Sequence, residues 1–212
     1  MNEHNHDHRD NAIETTSRVE AFSDGVYAIV ATLLVLELRV PILQIVNSHI
    51  LLLTLRNLLP EIVAFIISFF IITIYWVNHH YFFHGVERTD WKLLWYNNHH
   101  LYWMATIPFT TALIGAYHTQ PVAILVYCLD MVMSAVSIML MIQYVFFHSK
   151  LMRLGFSEER KRKEFRRGML GVYLYIIATL TIFINVYLTL TILIITPILF
   201  VVPRLMSGEE MM

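Results

Sequence analysis

Long apolar stretches separated by short polar connections dominate this sequence and restrict what it can fold into. Apolar residues make up 57% of the 212 residues and charged residues 15%, against a charged share of about 25% in soluble domains. A membrane-spanning helix needs about 20 mainly apolar residues. Six stretches come close to that length: 18–39, 60–83, 92–116, 121–147, 168–186 and 188–205. The sequence lacks the short alternating strands of a barrel, so it predicts an all-α integral membrane protein.

The last two stretches lie almost end to end, which leaves two topologies open. In the six-span topology a turn falls at Asn185, before a run of β-branched residues. In the alternative, residues 168–205 form one long terminal helix and the chain has five spans. Pro60 and Glu61 are typical of a helix start. The first N–H groups of a helix have no partner within it, and Pro has no N–H; Glu complements the positive end of the helix dipole. Residues 41–58 then form a connection with room for a short interfacial helix.

Basic residues collect on one side of the six-span topology. Eight of the 15 Lys and Arg residues lie between the fourth and fifth stretches. The positive-inside rule places that connection and both termini in the cytoplasm. We therefore predict a cytoplasmic tail at 1–17, a six-helix membrane domain at 18–205 and a second tail at 206–212. The segment Arg160 to Arg167 determines topology and is also suited to contact anionic lipid head groups, at about 1 kcal/mol per basic residue.

Ionisable residues stand at the mouth of the first apolar stretch. The run Arg18-Val19-Glu20-Ala21-Phe22-Ser23-Asp24-Gly25 leads directly into the mainly apolar residues 26–38. A charge inside a spanning segment costs about 2.5–3.5 kcal/mol on insertion scales, so Arg18 and Asp24 require partners or water. Charged residues retained at such a cost indicate a functional site.

This run, Arg-x-x-x-Phe-Ser-Asp followed by an apolar helix, resembles the signature of the transmembrane protein 175 family of potassium channels. Bacterial members with a single repeat are the most similar. The run Tyr75-Trp76-Val77-Asn78-His79-His80 resembles the Trp and His segment that ends the second span in that family. The resemblance implies a homotetramer in the bacterial cytoplasmic membrane that passes K+ passively. It implies no enzymatic activity, no cofactor and no nucleic-acid partner.

A stripe of residues along the first span faces one direction. Each residue of a helix advances by 100°, so Thr32, Leu33 and Leu36 lie within about 60° of Ile29 around the helix. Arg18, Phe22 and Gly25 extend the same face towards the start of the span. Asp24 and Tyr27 point away from it. From the residues alone, packing against other helices is the usual role of such a stripe, and lining a pore is the alternative.

The family resemblance assigns roles to this stripe. It implies that Ile29, Leu33 and Leu36 form a hydrophobic gate, which closes by dewetting, and that Thr32 supplies a hydroxyl layer that prefers K+. The Thr-Val-Gly-Tyr-Gly loop of ordinary potassium filters is absent from the sequence. One helix supplies only one wall, so several copies must surround a pore, and the family implies four.

The resemblance also implies a structural network between the first two spans. Its members are Arg18, Phe22, Ser23, Asp24, Trp76 and either His79 or His80. Adjacent residues differ by 100° on a helix, so only one of the two histidines faces the first span, and the sequence leaves open which. Titration of that histidine would couple conduction to pH.

Two other functions stay open at this point. Asp130, in the middle of an apolar stretch, would suit a proton-coupled secondary transporter or a proton-conducting channel, although hydrogen bonding to Thr or Tyr is the simpler role. His80 and His84, four residues apart, would suit a His-ligated membrane metalloenzyme if His99 and His100 approached them. That ligand set is incomplete. Imidazole sites prefer carboxylate support, and the nearby Glu87 and Asp90 lie in a loop that a position at the cytoplasmic face explains equally well.

Overall fold

The computed structural model of the protein describes residues 16–42, 47–153, 155 and 157–207, and most of these are helical. Within these ranges the α-helices are α1 Thr16–Leu33, α2 Ser48–Asn57, α3 Leu59–His84, α4 Trp91–Ala116, α5 Pro121–Gln143, α6 Glu158–Thr181 and α7 Val186–Ser207. A 3₁₀ turn, Leu34–Glu37, extends α1, and a π-helical turn, Tyr144–His148, extends α5. The all-α prediction is confirmed. Most of the predicted tails 1–17 and 206–212 lies outside the described residues.

Six of these helices correspond to the six predicted spans, and five of them begin within two residues of the predicted start. The exception is α6, which begins at Glu158 rather than at residue 168. Ser157 caps it, since its hydroxyl accepts from the backbone N–H of Arg160 at 3.2 Å. Glu158 and Glu159 complement the positive end of the helix dipole. The basic segment 160–167 is therefore helical, although its polarity excluded it from the predicted span.

Within the described part of the chain, three helical segments are long and apolar enough to cross a membrane. They are Thr16–Glu37, Leu59–His84 and Pro121–His148, and Val186–Phe200 is a shorter apolar helix. The other two long helices, α4 and α6, carry more polar residues. Membrane crossing by α4, α6 and α7 stays a prediction.

A turn at residues 182–185 separates α6 from α7. The side-chain oxygen of Asn185 accepts from the backbone N–H groups of Tyr187 at 2.8 Å and Leu188 at 3.2 Å, which satisfies the first turn of α7. The two helices then pack together, and the hydroxyls of Thr181 and Thr189 are hydrogen-bonded at 3.0 Å. The single long terminal helix of the five-span alternative is therefore wrong.

Buried hydroxyl groups tie α3, α4 and α5 together. Ser68 on α3 accepts from the hydroxyl of Thr111 on α4 at 2.7 Å and is hydrogen-bonded to Tyr127 on α5 at 2.9 Å. Asp130 on α5 accepts from the hydroxyls of two threonines on α4, Thr106 at 2.8 Å and Thr110 at 2.7 Å. In an apolar interior each unpaired group would be costly, so these bonds fix the register of the three helices. By contrast, α2 has no buried residue.

Close contact between α3 and α4 depends on a glycine. A Cβ atom added at Gly115 would lie 3.1 Å from the Cα of Glu61 and 3.2 Å from its Cγ. We predict that Gly115→Val lowers the melting temperature of the purified protein by several degrees, because overpacking of this kind costs about 1–3 kcal/mol. Thermal unfolding in detergent measures the effect. Ala116→Val, on the exposed neighbouring residue, is the control and should melt like the native protein; equal melting of all three would contradict the prediction.

Candidate functional site

The first helix has two faces with opposite environments. Val19, Ser23, Tyr27 and Val30 are buried against the other helices, and Leu34 of the following turn continues that face. The predicted stripe lies on the other side: 60% of Ile29, 41% of Leu33 and 68% of Leu36 is exposed. Phe22 and Thr32 are exposed as well. In a single chain much of the apolar stripe is therefore left uncovered by the other described residues.

The α-helix ends within this stripe. Leu33 is the last residue of α1, and Leu36 lies in the 3₁₀ turn rather than in an α-helix. Residues three apart eclipse one another in 3₁₀ geometry, so Leu33 and Leu36 lie in line along the same face. The tighter turn thus keeps Leu36 on the stripe that α-helical spacing predicted.

Thr32 makes its hydrogen bonds within α1. Its hydroxyl lies 2.9 Å from the carbonyl oxygens of both Ala28 and Ile29, and it donates its one proton to this pair. The oxygen keeps its lone pairs, which are acceptors. An exposed threonine in this state presents oxygen to its surroundings and no donor, which suits contact with a cation.

Asp24 and Trp76 form a direct bond between α1 and α3. The indole Nε1–H of Trp76 donates to Oδ1 of Asp24 at 2.8 Å. His80 stacks on the same indole ring, with centroids 6.1 Å apart and planes inclined by 30°. The membrane-edge carboxylate thus has the partner that its cost of insertion requires.

His79 occupies a different, buried position. Its Nε2–H donates to Oδ1 of Asn97 on α4 at 2.8 Å, and the Nδ2 of Asn97 donates to the hydroxyl of Ser23 at 3.0 Å. Ser23 donates in turn to the carbonyl oxygen of Val19 at 2.8 Å. His79 therefore reaches the signature serine through Asn97, whereas His80 reaches the signature aspartate through Trp76.

A second buried chain of hydrogen bonds runs from α1 to α5. Ser137 donates to the carbonyl oxygen of Ser134 at 2.8 Å, so its oxygen accepts from the Nδ1–H of His100, also at 2.8 Å. A neutral imidazole with a proton on Nδ1 has an acceptor at Nε2. That atom accepts from the hydroxyl of Tyr27 on α1, at 2.7 Å. Tyr27, His100 and Ser137 thus satisfy one another in a dry interior.

The remaining two members of the predicted network, Arg18 and Phe22, are exposed. They line a cavity of about 370 Å³ between α1 and α4, together with Trp91, Trp95 and Asn98. Their part in the network stays a prediction.

Three residues that support α1 were not recognised from the sequence: Tyr27, Asn97 and His100. Asn97 and His100 are the ends of the polar run Asn97-Asn98-His99-His100 and are three residues apart, so they share one face of α4. Polar side chains at helical spacing inside a span are the available signal. From the sequence, His100 is expected only in a hypothetical metal site. In the structure both of its ring nitrogens already make hydrogen bonds, and no group of three metal-ligating side chains forms in the described part of the chain.

Comparison with known proteins identifies the family of this chain. Residues 18–108 match the model of a family described as endosomal/lysosomal potassium channel TMEM175. The solved structure of a protein described as a lysosomal potassium-selective channel TMEM175 homologue, from Chamaesiphon minutus, superimposes with a TM-score of 0.80. It is 33% identical in sequence, and the match covers 89% of this chain and 97% of that one.

Two curated bacterial relatives are named potassium channels. One, from Chryseobacterium sp. (strain P1-3), is 40% identical over 123 residues, 58% of this chain and 61% of the relative. The other, from Chamaesiphon minutus, is 46% identical over 108 residues, 51% of this chain and 53% of the relative. The chain thus spans somewhat more than half the length of the curated relatives it matches.

The bond between Tyr27 and His100 provides a test of how α1 is held. We predict that Tyr27→Phe destabilises the protein, because it leaves the buried Nε2 of His100 without a donor, at a cost of about 1–3 kcal/mol. Thermal unfolding of the purified protein measures the loss. Tyr102→Phe removes the hydroxyl of an exposed tyrosine on α4 and should leave the melting temperature unchanged. An equal effect of the two substitutions would show that the buried bond contributes nothing.

Proposed function

Because this chain belongs to the TMEM175 family of potassium channels, we propose that it forms a passive potassium-selective channel in which the exposed face of α1 lines the pore. The observation that carries the proposal is the asymmetry of α1. One face is held by buried hydrogen bonds to α4, and on the other the described part of a single chain leaves Ile29, Leu33 and Leu36 exposed. A set of copies that brought these faces together would enclose a narrow axis.

The gate in this proposal is a ring of aliphatic side chains. Ile29, Leu33 and Leu36 from each copy would surround the axis, and a narrow apolar ring loses its water and blocks ions. Its opening requires only a small widening, since wetting of an apolar constriction changes steeply with its width.

Potassium preference in this proposal depends on Thr32. A ring of threonine oxygens, one turn from the Ile29 ring and next to the Leu33 ring, would supply acceptors to a partly hydrated K+. The hydroxyl proton of each threonine is engaged by the helix backbone. The ring therefore presents oxygen acceptors to the cation and no free O–H donor that would repel it. The conducted ion is K+, and the mechanism requires no cofactor.

A homotetramer is the assembly we propose, because each chain contributes one such wall and the resemblance to the family implies four copies. Oligomerisation would also cover the exposed stripe of α1. The cavity beside Arg18, Trp91 and Trp95 borders the same side of the chain, and wide aromatic side chains are frequent at interfaces.

We place the channel in the bacterial cytoplasmic membrane, with both termini and the segment Arg160 to Arg167 on the cytoplasmic side. The excess of Lys and Arg at that end of the bundle supports this orientation. The domain assignment follows: tails at 1–17 and 206–212 flank a channel domain at 18–205. Contact of the basic segment with anionic head groups is part of the same proposal.

Asp130 has a structural role in this proposal, rather than the proton-carrying role of the alternative transporter or proton channel. Its two carboxylate oxygens accept from Thr106 and Thr110, and the residue is only 4% exposed. It lies on α5, away from the α1 stripe. Nothing in this geometry leads protons from Asp130 to the proposed pore.

Substitutions on α1 test the pore assignment through ion flux into proteoliposomes. We predict that Ile29→Asn raises potassium flux, because a polar ring wets. Thr32→Ala should reduce the preference for K+ over Na+ by about two- to tenfold, as expected for loss of a neutral polar contact. The control is Thr191→Ala on α7, an exposed threonine with the same bond to its own helix, to Tyr187 at 2.8 Å. Native behaviour of both α1 variants would refute the assignment.

Substitution of Asp130 separates the channel from a coupled carrier. We predict that Asp130→Asn retains passive potassium flux, lowers the melting temperature because one threonine loses its acceptor, and leaves the flux indifferent to an imposed proton gradient. Flux and thermal unfolding are measured on the same preparation. A native protein that moves K+ only under a proton gradient, and loses this in the variant, would favour the carrier.

A further inference from the structure

A groove of about 1320 Å³ lies between α3, α5, α6 and α7, away from the exposed face of α1. One end is basic. Arg160, Lys163 and Arg167 of α6 line it, Arg153 precedes α6, and His84 belongs to the end of α3. Two acidic residues, Glu159 and Glu164, line the same end, so the basic side chains exceed the acidic ones.

The other end of the groove is apolar. It is lined by Ile71 of α3, Ile138 and Met139 of α5, Tyr175 of α6 and Phe200 of α7. The groove therefore changes from charged to apolar along its length, with the charge at the end of the bundle where the basic residues collect.

One face of α6 runs along this change. Arg167 and Tyr175 both line the groove and are separated by eight residues, about 12 Å along a helix. Between them lie Gly168 and Gly171, which also line it. A Cβ atom at Gly168 would overlap the sulfur of Met139, and one at Gly171 would lie 3.1 Å from the ring of Phe200. Because the two glycines have no side chain, Met139 of α5 and Phe200 of α7 pack directly against α6. These residues form the floor of the groove, which is a narrow apolar track along α6.

The side chain of Arg167, where the basic and apolar ends of the groove meet, has one nitrogen that lacks a hydrogen-bond acceptor among the described residues. This nitrogen, Nη2, is buried. A buried guanidinium nitrogen without an acceptor is costly and rare. Guanidinium groups match phosphate oxygens in geometry and charge. The structure thus presents a donor without an acceptor at the point where the groove turns apolar.

We infer that this groove binds an anionic phospholipid, whose phosphate accepts from Arg167 and whose acyl chain lies along the track past Gly168, Gly171 and Tyr175. A lipid is the occupant that matches both ends, because a soluble phosphate would use only the basic end. The position of the groove in the membrane also fits a lipid. In the proposed orientation its basic end lies at the level of the head groups of the cytoplasmic leaflet. The inference requires membrane insertion and is independent of potassium conduction.

Lipid-dependent stability of the purified full-length chain tests the inference. The melting temperature is measured in detergent during titration with phosphatidylglycerol, and in parallel with phosphatidylcholine and with glycerol 3-phosphate. Phosphatidylglycerol should raise the melting temperature saturably, and the other two should not. Arg167→Gln should weaken the apparent affinity for phosphatidylglycerol by about tenfold, as expected for loss of a charged hydrogen bond.

Arg166→Gln is the matched control. It removes the same charge from the adjacent, exposed residue, whose Nε bonds to the carbonyl oxygen of Arg162 and which does not line the groove. It should leave the apparent affinity for phosphatidylglycerol within roughly twofold of native, because a single exposed charge contributes little free energy. Equal losses in the two variants, an equal response to phosphatidylcholine, or saturation by glycerol 3-phosphate alone would each overturn the inference. Elution of Arg167→Gln as native protein on size-exclusion chromatography establishes that it is folded.

Discussion

The buried hydrogen bonds between α1 and α4 are the constraint on which the rest of the proposed site depends. Ser23 and Tyr27 lie one turn apart on α1, and their partners Asn97 and His100 lie one turn apart on α4. Two bonds at matched spacing fix both the rotation and the height of one helix against the other. In an apolar interior each broken bond would leave an unsatisfied group, so sliding or rotation of α1 is strongly opposed.

Fixed rotation of α1 determines which residues it leaves exposed. One residue of misrotation is 100°, enough to replace Ile29 by buried Val30 on the outer face. The hydrogen bonds hold α1 at Ser23 and Tyr27, and the residues proposed as the gate begin two residues later, at Ile29. The uninterrupted helix from Thr16 to Leu33 connects these positions rigidly. A polar network on the buried face of α1 therefore sets the geometry of the proposed gate on its exposed face.

The sequence revealed this arrangement only in part, for physical reasons that differ from residue to residue. Asp24 needed a partner on energetic grounds, and the resemblance supplied Trp76, which the structure places at 2.8 Å. The choice between His79 and His80 depended on the rotation of α3, which the sequence does not encode locally. Asn97 was missed because its partner Ser23 is 74 residues away along the chain. The start of α6 was missed because hydropathy detects apolar residues, and a capped charged helix is not apolar.

The basic groove and the support of α1 meet at His80. His80 lines the groove, its ring stacks on Trp76, and Trp76 donates to Asp24 on α1. An occupant that displaced His80 would disturb this stack, whereas one that lay only along α6 would not. Because the apolar track follows α6, the geometry favours a lipid that stabilises the outer helices and leaves the hold on α1 unchanged.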